Sequence, residues 1–270
     1  MWTKQATTLG LLLSLAMLLI GPLLLGIDPE EVVVSERNLG PSMAAPFGTD
    51  ELGRDMWGRI AFGGRRTVLT GACAVALVLL VGVSIGFLAG FARRFDALAV
   101  QLIEVQAPLG QVAILLLLAP WFAGLPGGIG ILTGLIFWPR IARLVRSETI
   151  ALVDGDVVIA SRLVGSTTGS IIRRNLWPRF STTVSKELFL TASISAMFEA
   201  SLGFLQIGSP GSLGRIILES KGSLLTSPSR LVIPIGVLAG VLFGFYLLSR
   251  RYEVQTQGGL DEPVEAVFYG

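Results

Sequence analysis

An all-α membrane protein, with six transmembrane helices and one long cytoplasmic loop, is predicted by three features of this sequence. Hydrophobic residues make up 52% and charged residues 15% of the 270, whereas soluble chains carry nearer a quarter charged. The mean hydropathy is +0.71. The apolar residues gather in runs long enough to cross a hydrocarbon layer of roughly 30 Å, at 9–27, 67–91, 98–119, 128–146, 184–205 and 231–249. Nothing between them is long enough for a soluble domain, so residues 1–270 read as one transmembrane domain.

The first run, Leu9–Ile27, has only Lys4 ahead of it and no small-x-small cleavage pattern before Asp28, so it reads as a retained span and not a signal peptide. The third carries Glu104 and Pro108, and the fourth closes on Arg140, Arg143 and Arg146. The stretch 148–183 joins the fourth span to the fifth. With both termini in the cytoplasm, thirteen Lys and Arg fall inside and eight outside, the bias expected of a multi-pass cell-membrane protein. That orientation makes 148–183 a cytoplasmic loop.

Small residues recur every four positions in three spans: Gly82, Gly86 and Gly90; Ala192, Ala196 and Ala200; Gly236, Gly240 and Gly244. This spacing lets helix backbones approach closely where no hydrophobic force drives association. Packing within one bundle and a seam between subunits are both consistent with it.

Composition also excludes functions. A net charge of +2 with basic residues scattered between apolar runs gives no nucleic-acid footprint. The single cysteine, Cys73, and the absence of histidine remove a disulfide framework, a thiolate metal site and the usual catalytic base. No G-x-x-x-x-G-K-[ST] loop is present to hold a nucleotide phosphate. The chain is therefore expected to be a non-catalytic membrane subunit with no metal or cofactor of its own. Two carboxylates, Glu104 and Glu199, do lie inside apolar runs, where an ionisable group faces a cavity or a partner. They are candidates for lining a permeation pathway; capping, pairing with a loop arginine or simple hydration are the other readings.

The loop DVVIASRLVGSTTGSIIRRNLWP, 156–178, breaks the apolar pattern. Asp156 to Val164 can form a short helix, Gly165 breaks it, and Ser166 can cap a second that Trp177-Pro178 stops. A simple connection needs only a few polar residues. Either a cytoplasmic partner grips this basic knob or it lies as an amphipathic helix on anionic lipid.

Residues across the chain resemble the permeases of ABC importers, in the form typical of the dipeptide, oligopeptide and nickel group. Ala160-Ser161, Gly165 and Pro178 fit the spacing of that family's cytoplasmic coupling loop, the EAA loop, with Pro178 thirteen residues after the glycine. GTDELGRD, with Gly48, Thr49, Asp50, Gly53, Arg54 and Asp55, looks like the family's outer-loop signature. Gly63 to Val68, Glu104, Pro108 and EASLGFLQIG at 199–208 continue the likeness, which covers about 45–249. The loop departs from the family pattern at Ile159, Ser161 and Thr168.

The resemblance implies an inner-membrane permease subunit forming half of a translocation pathway for small peptides. It implies a second permease subunit, two ATPase subunits that bind ATP and magnesium, and an extracytoplasmic binding protein. Asp156, Ala160, Ser161, Arg162, Gly165, Ser166, Arg173, Arg174 and Pro178 would then contact the ATPases. The alternatives are import of nickel or a metal chelate, a secondary transporter acting alone with Glu104 and Glu199 as its relay, and a structural membrane protein without cargo.

Overall fold

A computed structural model describes residues 28–43, 45–106, 110–153, 155 and 177–258. Its described residues form seven α-helices: α1 (Met56–Phe91), α2 (Arg93–Gln106), α3 (Gln111–Phe122), α4 (Gly128–Val153), α5 (Trp177–Phe204), α6 (Leu213–Ser220) and α7 (Ser229–Gly258). A π-helical stretch, Val78–Val83, lies inside α1. No strand forms among these residues, and one isolated antiparallel bridge pairs Thr49 with Asp55. The run expected to be the first span, 9–27, lies outside the described residues.

Among the described residues three helical stretches are long and apolar enough to cross a membrane: Met56–Phe91, Gly128–Ala151 and Ser229–Arg250. The protein is membrane-embedded. α1 begins eleven residues ahead of the apolar run expected at 67–91. At 1.5 Å per residue its 36 residues reach about 54 Å, so its first turns extend past the apolar run. The run expected at 98–119 is divided between α2 and α3, with Gly110 non-helical. Gly110, which lacks a side chain and is a poor helix former, lies in the interruption. Trp177-Pro178 belong to α5, and the stretch ahead of them, expected to hold two short loop helices, lies outside the described residues. Proline is compatible with a first turn, where its missing N–H has no helical partner to lose.

The described chain divides into two compact units whose boundaries fall inside helices. The first comprises residues up to Ala74, Val112–Thr133 and Ala192–Phe245. Its core gathers Met56 and Ile60 of α1 with Leu213 and Ile216 of α6, and Ile233 and Val237 of α7 pack against them. Phe47 meets Trp57 edge-on at 5.1 Å between ring centroids. Close backbone approach explains the small residues here. A Cβ on Gly214 would sit 1.7 Å from the Ala200 carbonyl oxygen, and one on Gly203 would sit 2.0 Å from Ser212 Oγ. The chain leaves α5 through Gln206 at φ +65, with the N–H groups of Ile207 and Gly208 both donating to the Leu202 carbonyl.

The second unit comprises Val75–Gln111, Gly134–Thr191 and the residues from Tyr246. Val78, Ile141, Val145 and Val184 form its core. The Gly82, Gly86 and Gly90 series packs on α4: added Cβ atoms would lie 2.9 Å from the Trp138 carbonyl oxygen, 2.5 Å from that of Ala142 and 2.6 Å from Thr149 Cβ. These glycines therefore serve packing within the chain. Gly236 and Gly240 of α7 differ, since nothing lies within 4 Å of an added Cβ at either. In this unit Arg146 also forms a two-pronged ion pair with Asp96, Nη2 lying 2.8 Å from Oδ2. The hydrogen bonds from Arg146 hold the Asp96 carboxyl below its ordinary range.

Candidate functional site

The outer-loop signature folds into a clamp on the first turn of α1. Gly48 and Gly53 have φ of +74 and +79, and added Cβ atoms would strike the Leu39 and Val33 carbonyl oxygens at 2.5 and 1.9 Å. Only glycine fits such positions without strain. Asp50 Oδ1 accepts from the N–H groups of Leu52 and Arg54 at 2.8 and 2.9 Å, closing the turn. The Leu39 N–H donates to Thr49 Oγ1 at 3.0 Å, and the Thr49 hydroxyl donates to the Glu36 carbonyl. Asp55 takes the N-cap role, its carboxylate accepting from Trp57 N–H at 3.3 Å and Gly58 N–H at 2.9 Å. A carboxylate there satisfies orphan donors and complements the positive end of the helix dipole.

Charge links this clamp to α6. Arg59, 4% exposed, places Nη1 at 2.8 Å from Asp50 Oδ2 and Nη2 at 2.5 Å from Glu219 Oε2. Arg54 reaches Asp50, Glu30 and Glu219 at 3.0, 3.2 and 3.6 Å, and Arg215 reaches Glu219 Oε1 at 3.2 Å. Partial burial pushes the Glu219 carboxyl up, but its hydrogen bonds and the charges of Arg59 and Arg54, with the Arg215 hydrogen bond, outweigh that and hold it below the ordinary glutamate range. Nearby, Arg230 Nη1 donates to Asn38 Oδ1 at 2.6 Å.

Further along α1, Glu199 of α5 is fully buried, and its Oε2 lies 2.9 Å from the Thr67 hydroxyl. That hydroxyl is also 3.1 Å from the Gly63 carbonyl and has one proton to share between them. Glu199 Oε1 has no partner among the described residues. One turn earlier on α5, Ser195 Oγ lies 2.6 Å from Thr133 Oγ1 of α4. A cavity of about 270 Å³ opens beside α1, between Arg65, Arg66, the turn 123–127 and Ser209-Pro210.

The two carboxylates expected to line a pathway thus part company. Glu199 is fully buried within this chain. Glu104 is exposed on α2, because Ala99 and Ile103 occupy the buried face and the next residue lies about 100° round the helix. The loop residues Asp156, Ala160, Ser161, Arg162, Gly165, Ser166, Arg173 and Arg174 lie outside the described residues, and of Pro178 only the backbone, in α5, is described. Among the described residues no three acidic or cysteine side chains gather as metal ligands. Arg59, Glu219, Thr67 and the Thr133-Ser195 pair were not singled out as partners in the sequence. Arg59 and Glu219 stand 160 residues apart, and no local pattern joins them.

No protein-family profile matches the sequence. Among solved structures, the fold matches a chain of the MetNI methionine ABC transporter in an inward-facing crystal form, with a TM-score of 0.54 and 18% identity over 73% of this chain and 97% of that one. That likeness defines the class by fold: the helices are arranged as in a chain of an ABC transporter. Sequence relatives then narrow the class. A putative peptide transport system permease protein of Brucella suis is 30% identical over 81% of this chain and 76% of its own length. The dipeptide transport system permease protein DppC of Bacillus subtilis is 34% identical over 73% of this chain and 62% of its own length. The oligopeptide transport system permease protein OppC of the same organism is 28% identical over 88% of this chain. The chain belongs to the family of dipeptide and oligopeptide transport permeases and is a permease subunit of an ABC importer.

Proposed function

We propose that this subunit forms half of the translocation pathway for short peptides across the cell's inner membrane, with six spans and both termini in the cytoplasm. The observation that carries the reading is the 30% identity to a peptide transport permease across 81% of the chain. Relatives named for peptides favour that cargo over nickel or a chelate. The second half of the pathway is another permease subunit, and the open face of α7 at Gly236 and Gly240 suits a helix approaching from outside the chain. Two ATPase subunits supply ATP and magnesium binding, and an extracytoplasmic binding protein delivers the peptide. The present chain hydrolyses nothing and holds no cofactor.

In this reading the stretch 156–178 docks in a groove of an ATPase subunit, with Gly165 as the joint between its two short helices. ATP-driven closure biases the spans between inward-facing and outward-facing arrangements. The complete complex, reconstituted in vesicles, is expected to take up labelled dipeptide with ATP. Gly165→Pro and deletion of Ser166 to Ser170 should each abolish uptake while leaving membrane insertion intact. Unchanged uptake in both variants overturns the coupling role, and uptake by the chain alone overturns the subunit reading.

A further inference from the structure

We propose that the cavity beside Arg65 and Arg66 is a carboxylate subsite that receives the C-terminal carboxylate of a short peptide at the outer mouth of the pathway. The inference rests on the peptide reading above. Its first support is position: both arginines immediately precede the 67–91 apolar run on a helix that extends beyond that run, so they stand at one end of the apolar run, the end that the proposed orientation turns outward. Its second is volume. The cavity holds about 270 Å³, close to the roughly 300 Å³ at which small-ligand pockets begin, enough for one terminal residue.

Its third support is charge. Arg54, Arg59 and Arg215 are all matched by carboxylates, but no Asp or Glu lines this cavity. Arg65, half-buried, makes no hydrogen bond or ion pair with a described residue and is the unmatched charge of the pair; Arg66 donates to the Pro210 carbonyl, lines a neighbouring cavity with Glu30 and feels the charge of Glu199. Guanidinium groups carry donors in a planar fork that matches a carboxylate. Ser209 adds a hydroxyl to the lining, and Phe62, Leu69 and Pro126 give an apolar wall for a peptide side chain. Any small oxyanion shares the recognition chemistry; the apolar wall favours a carboxylate attached to a hydrocarbon side chain over phosphate.

The test is calorimetric titration of the full chain in lipid nanodiscs with N-acetylalanine, N-acetylalaninamide and inorganic phosphate. The acid is expected to bind and the amide not, with Arg65→Gln and Arg66→Gln each weakening the acid by about tenfold. Arg65→Lys, which keeps the charge and loses the fork, should give a smaller loss, and Arg37→Gln, at an exposed position, none. Equal binding of acid and amide, preference for phosphate over the acid, no binding of the acid, or unaltered affinity in both glutamine variants overturns the subsite. In the whole complex, the variants should reduce uptake of a free-acid dipeptide relative to its amide by the same factor. Uptake of peptides with that ratio unchanged sinks the subsite and leaves the proposed function standing. Arginine-dependent binding of the acid by a complex that moves no peptide does the reverse.

Discussion

Arg59 holds Asp50 and Glu219 together, its guanidinium 2.8 Å from one carboxylate and 2.5 Å from the other. With Arg54, which also reaches Glu219, that side chain ties the tight turn ahead of α1 to the short helix α6, 160 residues further along the chain. Removing one partner of a fully buried ion pair costs about 3 kcal/mol or more; here Arg54 and Arg215 remain beside the two carboxylates, so the loss is smaller. Arg59→Ala should therefore lower the melting temperature of the purified chain well below that of Arg37→Ala. Arg59→Lys should fall between, because one ammonium cannot serve both carboxylates in a fork. Equal melting temperatures for the Arg59 and Arg37 variants would remove the clamp from this account.

The same cluster sets a pH dependence. The Glu219 carboxyl is held below its ordinary value, so the stability it contributes is fully present above the unfolded value, about 4.3. It declines as pH falls from there through the lower folded value. Thermal unfolding followed from pH 7 down to pH 3 (about the range that brackets this titration) should show a larger loss in the wild type than in Glu219→Gln, the variant being already weakened at neutral pH and retaining only the loss from other paired carboxylates such as Asp96. Parallel curves for the two proteins would contradict the assignment.

Asp55 caps α1 with two backbone N–H groups. Asp55→Ala should destabilise the chain by about 1 kcal/mol, and Asp55→Ser should recover most of it, because a hydroxyl also serves at an N-cap. The readout is the denaturation midpoint of the purified protein. Loss of the same size for both substitutions would show that the carboxylate acts elsewhere.

The two glycine series are expected to separate in experiment. Gly86→Val drives a side chain into the Ala142 carbonyl, 2.5 Å from where Cβ would stand, and should destabilise the isolated chain by roughly 1–3 kcal/mol. Gly236→Val meets nothing within 4 Å and should leave the isolated chain unchanged. Under the proposed pairing with a second permease, Gly236→Val should instead reduce recovery of the complex on affinity purification. An intact complex would reassign that face of α7 to lipid.

Glu199 tests the buried polar seam. Glu199→Gln keeps the shape and can still pair with Thr67, so it should preserve or raise stability, whereas Glu199→Ala leaves a cavity, the Thr67 hydroxyl falling back on the Gly63 carbonyl, and should lower it by about 2 kcal/mol. Melting curves of the two variants decide the matter. If Gln proves as damaging as Ala, the packing seen around Glu199 is not what holds it there.

The class of protein was legible in the sequence because hydrocarbon imposes a one-dimensional demand: long apolar runs, sparse charge and basic residues set between the spans are visible without a fold. Motifs such as GTDELGRD were legible for a related reason, since turns and caps are made by neighbours in the chain. What Asp50 and Glu199 touch was not, because Arg59 with Glu219 and Thr67 with Glu199 are contacts at separations of 160 and 132 residues. Helix facing likewise belonged to the tertiary structure. Glu104 and Glu199 looked alike as carboxylates in apolar runs, yet rotation about each helix axis exposes one and buries the other. Spacing alone could not tell the glycines that meet α4 from those that meet nothing, for close approach is a property of two helices and the sequence describes only one at a time.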